Sequence, residues 1–413
     1  MFEKFTTLAD VSINGKGSYG IGASAVPYSD KLFTYLRITD INDDGTLNLS
    51  DLKSVDDEKA KNYILKPNDI VFARTGASTG RNYFYDGTDG QFVYAGFLIK
   101  FSLDESKINP KFVKYYCQSE DYKCWINSFN TGSTRGNINA KTLEKMPIPL
   151  IDREIQDGLV SILSSIDDKI KENTAINNNL AEQIKTICTA WLSDYAPFGG
   201  TLPDNWSKTP LSSIANFVSG YSYKGAELTE SNIAMATIKN FDRKGGFKLD
   251  GYKEIIPSNK LKDTQHAELF DTLVAHTDLT QNAEVIGNAE PVMSKSGYSD
   301  IVFSMDLVKV VPKNNHISKF LIAAILQDKK FKAHCLGYVN GTTVLHLSKK
   351  ALPEYQLYLP DDLSALKPLD ELVTALYLQI SANIEEITKL ETLRDTLLPK
   401  LMSGELDVSD IGL

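Results

Sequence analysis

The sequence predicts an α+β protein: two homologous α+β domains, separated by two long helices that form an antiparallel coiled coil with a pseudo-two-fold axis. Three observations predict this. Blocks of the first half recur in the second at a slowly growing offset; each copy ends in a Pro-containing stretch followed by a segment of different texture; and those segments carry apolar residues at heptad spacing. The expected boundaries are 1–150 for the first domain, 151–195 for the first helix, 196–360 for the second domain and 361–413 for the second helix with its tail.

The duplication sets the frame, because a repeat overlooked misassigns the whole fold. Ile38-Thr39-Asp40-Ile41 aligns with Ile238-Lys239-Asn240-Phe241 at an offset of 200. Asn68-Asp69-Ile70-Val71-Phe72-Ala73-Arg74-Thr75 aligns with Phe270-Asp271-Thr272-Leu273-Val274-Ala275-His276-Thr277 at 202, and Thr131-Gly132-Ser133-Thr134 with Asn340-Gly341-Thr342-Thr343 at 209. Leu143–Leu150 and Leu352–Leu359 keep the 209 spacing. Offsets that grow this slowly mean small loop insertions in a shared framework.

Within each copy, Asp69 to Ala73, Phe92-Val93-Tyr94, Phe97 to Phe101 and Ile301-Val302-Phe303 are strand-like, being β-branched and aromatic between Gly, Asp and Asn turns. Pro110 to Phe129 and Ser318 to Gly337 each read as one amphipathic helix, with Pro110 in a first turn and Ser318 as an N-cap.

The heptad segments follow. Ile166, Asn173, Leu180 and Ile187 lie seven apart with companions Ile170, Asn177, Ile184 and Trp191; Leu376, Asn383, Leu390 and Leu397 repeat the pattern with Ile380, Ile387, Arg394 and Leu401. Apolar a and d positions over three to four heptads point to paired helices. At about 1.5 Å per residue, some 40 residues span roughly 60 Å. Asn173 and Asn383 occupy matching a positions, where a buried polar residue fixes register at a cost in stability. Two ordinary helices packed on their own domains are the other reading.

Composition bounds the function. The 413 residues carry 44 Lys+Arg against 53 Asp+Glu, and 42% are apolar. The acidity is local: residues 1–150 are neutral and 203–360 are +2, whereas 151–202 are −4 and 361–413 are −7. Electrostatic attraction reaches only about 8 to 10 Å, so both long segments remain open to a polyanion. No apolar run approaches the roughly 20 residues of a membrane span, and Met1-Phe2-Glu3-Lys4 is unlike a signal peptide. Cys117, Cys124, Cys188 and Cys335 form no CxxC pair, which fits reduced, mostly buried thiols; Cys117 and Cys124, seven apart, read as core residues of one helix.

Motifs of chemistry are scarce. Gly15-Lys16-Gly17-Ser18-Tyr19-Gly20 matches GxGxxG but runs on into loop, so it reads as a flexible loop rather than a dinucleotide site. Glu105-Ser106-Lys107 resembles the end of a nuclease ExK run yet lies in a polar turn. The five histidines show no metal-binding spacing. There is no phosphate-binding GxxxxGK[ST] loop and no Asp/Asn-Pro-Pro-aromatic run of an amino-methyltransferase. Two stretches stand out: Arg74-Thr75-Gly76-Ala77-Ser78-Thr79-Gly80-Arg81 and Thr131-Gly132-Ser133-Thr134-Arg135-Gly136-Asn137. Both set Arg beside hydroxyls and glycines, where the backbone can approach a phosphate and Arg can bond guanine bidentately. Their repeat partners are Ala275 to Asn282, with His276, Thr277, Gln281 and Asn282, and Asn340 to Thr343, with Thr342 and Thr343. Two readers of different base sequences fit this pattern, as do two drifting surface loops.

The ending Leu393-Arg394-Asp395-Thr396-Leu397-Leu398-Pro399-Lys400-Leu401-Met402-Ser403-Gly404-Glu405-Leu406, the stretch Leu163-Ser164-Ser165-Ile166-Asp167-Asp168-Lys169-Ile170 and the opening Leu202-Pro203-Asp204-Asn205-Trp206 of the second half resemble the specificity (S) subunit of type I restriction-modification systems. The likeness covers essentially the whole chain. It implies two target recognition domains, each reading half of a bipartite site in double-stranded DNA, with the helices as spacer and as docking surface for two methyltransferase subunits and for restriction subunits. The spacer length would then set the number of unread base pairs. By the same likeness the chain is a cytoplasmic, non-catalytic protein with no cofactor of its own; S-adenosylmethionine, ATP and Mg belong to its partners, and no membrane is involved. The first copy departs from the pattern in lacking the Pro-x-x-Trp opening seen at Pro203. A coiled-coil scaffold without DNA specificity, and a nuclease acting through Glu105 and Lys107, are the rival readings.

Overall fold

The computed structural model describes residues 4–129, 137–280, 282–313, 315–406 and 408. The chain forms two compact units: unit 1 comprises Met1–Asp168 and Leu390–Leu413, and unit 2 comprises Lys169–Lys389.

Unit 1 holds an antiparallel sheet in the order Ser18–Tyr19, Leu98–Ser102, Asp69–Ala73, Asn82–Tyr85. A second sheet runs Ala25–Pro27, Lys53–Val55, Phe33–Leu36, Phe92–Tyr94, the last pair parallel. Unit 2 repeats both. Its first sheet runs Ala215–Ser219, Leu307–Pro312, Thr272–Ala275, Ala289–Pro291, and its second Lys253–Glu254, Ile233–Ala236, Asp300–Phe303, again closing on a parallel pair. Asp69–Ala73 is buried at every residue, which is why it reads as a continuous rather than alternating apolar run.

Each stretch expected to be one helix is two. Pro110–Tyr116, capped by Asn109, is followed by Glu120–Asn127, whose first turn is capped by Ser119 through the Tyr122 N–H. Ser318 caps Lys319–Leu326 as expected, and Asp328 caps a new helix, Lys329–Leu336. A side-chain oxygen offered to free N–H groups restarts the helix while the apolar spacing runs on through the break. Cys117 and Cys124 are therefore not on one helix: Cys117 is buried at the end of the first, and Cys124 is exposed on the second, on the face opposite buried Tyr122 and Ile126.

The two long helices are Arg153–Leu192 and Lys367–Met402. In unit 1, Arg394 reaches Asp167 at 3.5 Å; in unit 2, Asn173 Nδ2 donates to Glu386 (2.9 Å) and Asn383 Nδ2 donates to Asn177 Oδ1 (2.8 Å). Partner numbers fall along one helix as they rise along the other, so the pair is antiparallel. Ile166, Asn173, Ile380 and Asn383 are buried in the seam, while Ile170, Leu180, Ile187, Leu376, Leu390 and Leu397 are half-buried. The two asparagines do not meet; each donates to a polar residue across the seam, so a slip of register would break both cross-helix bonds.

The helices also enter the cores. Leu366, Leu369, Val373 and Tyr377 pack with Ile184, Trp206 and Leu321 in unit 2, and Leu398, Leu401 and Met402 pack with Leu159, Leu163 and Ile148 in unit 1. Pairing and packing on the domains are thus both realised. No helix among the described residues is long and apolar enough to cross a membrane.

A buried acid ties unit 2 together. Glu290 accepts from Gly246 N–H and from Gln327 Nε2, both at 2.7 Å, and Gln327 Oε1 accepts from the Tyr377 hydroxyl. Burial pushes its carboxyl up to about 7, since those bonds and Lys185 only partly offset desolvation. Because its folded value lies above its unfolded one, ionisation weakens the fold as pH rises from about 4.5 to about 7, by roughly 3 kcal/mol once complete. Glu290→Gln, with the Gln327 amide turned over to keep the relay, is expected to remove most of that pH dependence. Urea midpoints at pH 5 and pH 8 check this.

Candidate nucleic-acid interface

The central strand of the first sheet delivers the candidate residues in both units. Where Asp69–Ala73 ends, Arg74 N–H donates to the Phe97 carbonyl (3.0 Å), the Arg74 carbonyl accepts from Ile138 N–H (2.9 Å), and Thr75 bridges Asn137. Where Thr272–Ala275 ends, His276 N–H donates to the Asp306 carbonyl (2.8 Å), its carbonyl accepts from Leu347 N–H (2.8 Å), and Thr277 pairs with His346. The first stretch is thus joined through Thr75 to Asn137, the described end of the second, in one ledge, and unit 2 rebuilds its backbone.

Arg74 has a donor to spare among the described residues. Its guanidinium carbon lies 5.0 Å from the centre of the Tyr19 ring, and its Nε is buried with no hydrogen-bond partner among the described residues. Tyr19 is itself held, its hydroxyl accepting from Ala140 N–H (3.2 Å). Native structures rarely leave such a donor unused. Phe97, on the turn that receives the Arg74 N–H, is 59% exposed.

The other candidates divide. Ser78 and Thr79 hold the turn: the Ser78 carbonyl accepts from Arg81 N–H, and Thr79 Oγ1 donates to the Gly76 carbonyl (2.8 Å). Arg81 is engaged with Asp43 through Nε (2.6 Å) and a terminal nitrogen (3.0 Å), and with the Ile41 carbonyl. Thr277 is buried and donates to Asp306 Oδ1 (3.0 Å). Asn282, Thr342 and Thr343 are exposed, the threonines in the loop between Val339–Asn340 and Leu345–Leu347. Ser133, Thr134, Arg135 and Gln281 lie outside the described residues.

His276 is half-buried, and burial, followed by the nearby His346 and Lys349, holds its imidazole below the ordinary value despite Asp306. Asp278 organises the loop beyond it, accepting from Thr280 N–H, Thr280 Oγ1 and Val285 N–H. Burial would raise its carboxyl, but those bonds outweigh it and hold the group low.

Sequence reasoning missed Tyr19, Phe97, Asp306, His346 and Asn288. Ala73 N–H donates to the Arg81 carbonyl and Ala275 N–H to the Asn288 carbonyl, so Asn288, not Asn282, occupies the place of Arg81. The loop is longer in unit 2, and a constant offset cannot see that. The 209 offset does align Phe97 with Asp306 and Asn137 with His346, and is the available signal. As for the nuclease reading, Lys107 Nζ donates to the Asp10 carbonyl (3.0 Å), whereas Glu105 accepts from Asn68 Nδ2 (3.3 Å). The two side chains serve separate structural bonds.

Comparison with known proteins bears on this duplicated fold. The family model described as type I restriction modification DNA specificity domain matches residues 23–182. The type I restriction enzyme MjaIX specificity subunit of Methanocaldococcus jannaschii is 23% identical over 334 residues, covering 75% of this chain and 72% of that protein. The HindI specificity subunit of Haemophilus influenzae is 20% identical, covering 83% and 87%. The crystal structure of a type I restriction-modification S subunit from M. genitalium shares the fold, with a TM-score of 0.54 over 96% of this chain and 95% of that one at 18% identity. A scaffold without DNA specificity does not fit these matches: residues 23–182 match a type I restriction modification DNA specificity domain, and the chain as a whole is similar to type I restriction enzyme specificity subunits.

Proposed function

We propose that each unit reads one half of a bipartite target in double-stranded DNA through the ledge at the end of its central strand. The observation that carries this reading is Arg74: on a half-buried residue at the end of the central strand, its guanidinium is held over the ring of exposed Tyr19, where a base edge or a phosphate can accept from it. Asn137, Thr75, Ser78, Thr79 and Arg81 belong to the same ledge, and His276, Thr277, Asn282, Thr342 and Thr343 to the corresponding part of unit 2; Ser133, Thr134, Arg135 and Gln281 are candidates from the sequence alone.

The chain itself carries out no catalysis and holds no cofactor in this reading. Two methyltransferase subunits dock on the helical pair and bring S-adenosylmethionine, and restriction subunits bring ATP and Mg, all in the cytoplasm. The similarity to type I specificity subunits and the paired helices support this assignment.

Arg74→Ala is expected to weaken specific binding by about 1 to 3 kcal/mol with little change in thermal stability, because the Arg74 Nε supports no hydrogen bond among the described residues. Binding to specific and random duplexes, measured with the methyltransferase partners present, checks this. Equal affinities of variant and parent for both duplexes would remove Arg74 as a reader.

A further inference from the structure

The two ledges share a backbone but not a chemistry. Tyr19 pairs with Ile99 and Ser219 with Val308; Arg74 N–H bonds the Phe97 carbonyl and His276 N–H bonds the Asp306 carbonyl. Three backbone positions thus hold Tyr19, Arg74 and Phe97 in unit 1, and Ser219, His276 and Asp306 in unit 2. The first set is a cation with two exposed aromatic side chains. The second offers a hydroxyl, an imidazole and a carboxylate.

We propose that these three positions determine specificity and that the units recognise opposite base chemistries, a refinement that rests on the DNA-reading proposal above. In unit 1, Arg74 donates to the acceptor edge of a guanine, with Tyr19 as its positioning residue and Phe97 supplying apolar surface on the same ledge. In unit 2, Asp306 accepts from the exocyclic amino group of a cytosine or adenine. A carboxylate facing DNA is repelled by phosphates, and an amino group on a base edge is the partner that offsets the repulsion. Thr277 Oγ1 holds one oxygen of Asp306 at 3.0 Å and so orients the group.

The test uses the full chain assembled with its methyltransferase partners and a duplex library randomised across both half-sites, sequenced after selection. Arg74→Lys, which keeps the charge but loses the planar fork, is expected to reduce a guanine preference in one half-site by on the order of tenfold. Tyr19→Leu reduces the same preference and adds nothing to Arg74→Lys, while Tyr19→Phe preserves it. Asp306→Asn changes one position of the other half-site from an amino-bearing base, leaving the first half-site intact. Thermal melts confirm that each variant folds, and Phe97→Ser, at an exposed position, supplies a second change in unit 1. The proposal is overturned if the parent selects both half-sites and Asp306→Asn alters neither, or if Arg74→Lys and Asp306→Asn alter the same half-site. A parent that selects no sequence at all overturns the DNA-reading proposal itself.

Discussion

Gly220→Ala is expected to destabilise unit 2 by roughly 3 kcal/mol or more. A Cβ at this position would lie 2.0 Å from the Ser304 carbonyl oxygen and 2.6 Å from that of Phe303. Neither oxygen is free to retreat, because the Phe303 carbonyl accepts from Tyr221 N–H (2.7 Å) and the Ser304 carbonyl from Leu307 N–H (2.9 Å). Unit 1 repeats the arrangement at Gly20, where a Cβ would lie 2.3 Å from the oxygens of Ala95 and Tyr94. Glycine at both positions is required by the close approach of backbone to backbone. Hydrogen exchange is expected to show lost protection at residues 215–219 and 307–312 in the variant. Unchanged protection and an unchanged urea midpoint would contradict the close approach.

Asp167→Ala is expected to cost about 2 to 3 kcal/mol in unit 1. Its carboxylate accepts from Lys114 Nζ (2.7 Å) and the Tyr115 hydroxyl (2.9 Å), and Arg394 lies 3.5 Å away. Burial alone would raise the Asp167 carboxyl, but Lys114, Tyr115 and Arg394 outweigh it and hold the group below its ordinary value of 3.8. A depressed folded value means that the contribution is complete above the unfolded value and is lost as pH falls through the folded one. The parent should therefore lose stability below about pH 4 more steeply than Asp167→Ala. Denaturation midpoints from about pH 2.5 to pH 7 check this, and parallel curves would remove Asp167 as the source.

The duplication is legible in the sequence because its offsets of 200, 202 and 209 change only in loops, so the strand blocks keep their spacing. The helical pair is legible because a heptad seam leaves its mark in every turn. The breaks at Ser119 and Asp328 are not, since a cap interrupts the backbone without disturbing the apolar pattern. The site is legible only in outline. Arg74 and Asn137 can be suspected from residue type, but the stacking of Arg74 on Tyr19 and the capture of Arg81 by Asp43 depend on which distant loops meet.

Unit 1 is assembled from two stretches far apart in the chain, whereas unit 2 is drawn from one uninterrupted stretch between them. Synthesis delivers residues in order, so the apolar surface around Leu159 and Leu163 emerges long before Leu398, Leu401 and Met402 arrive to cover it. The portion translated first is therefore the last to be completed, and a premature stop codon just ahead of Leu398 would strand the earlier-made half rather than the later one.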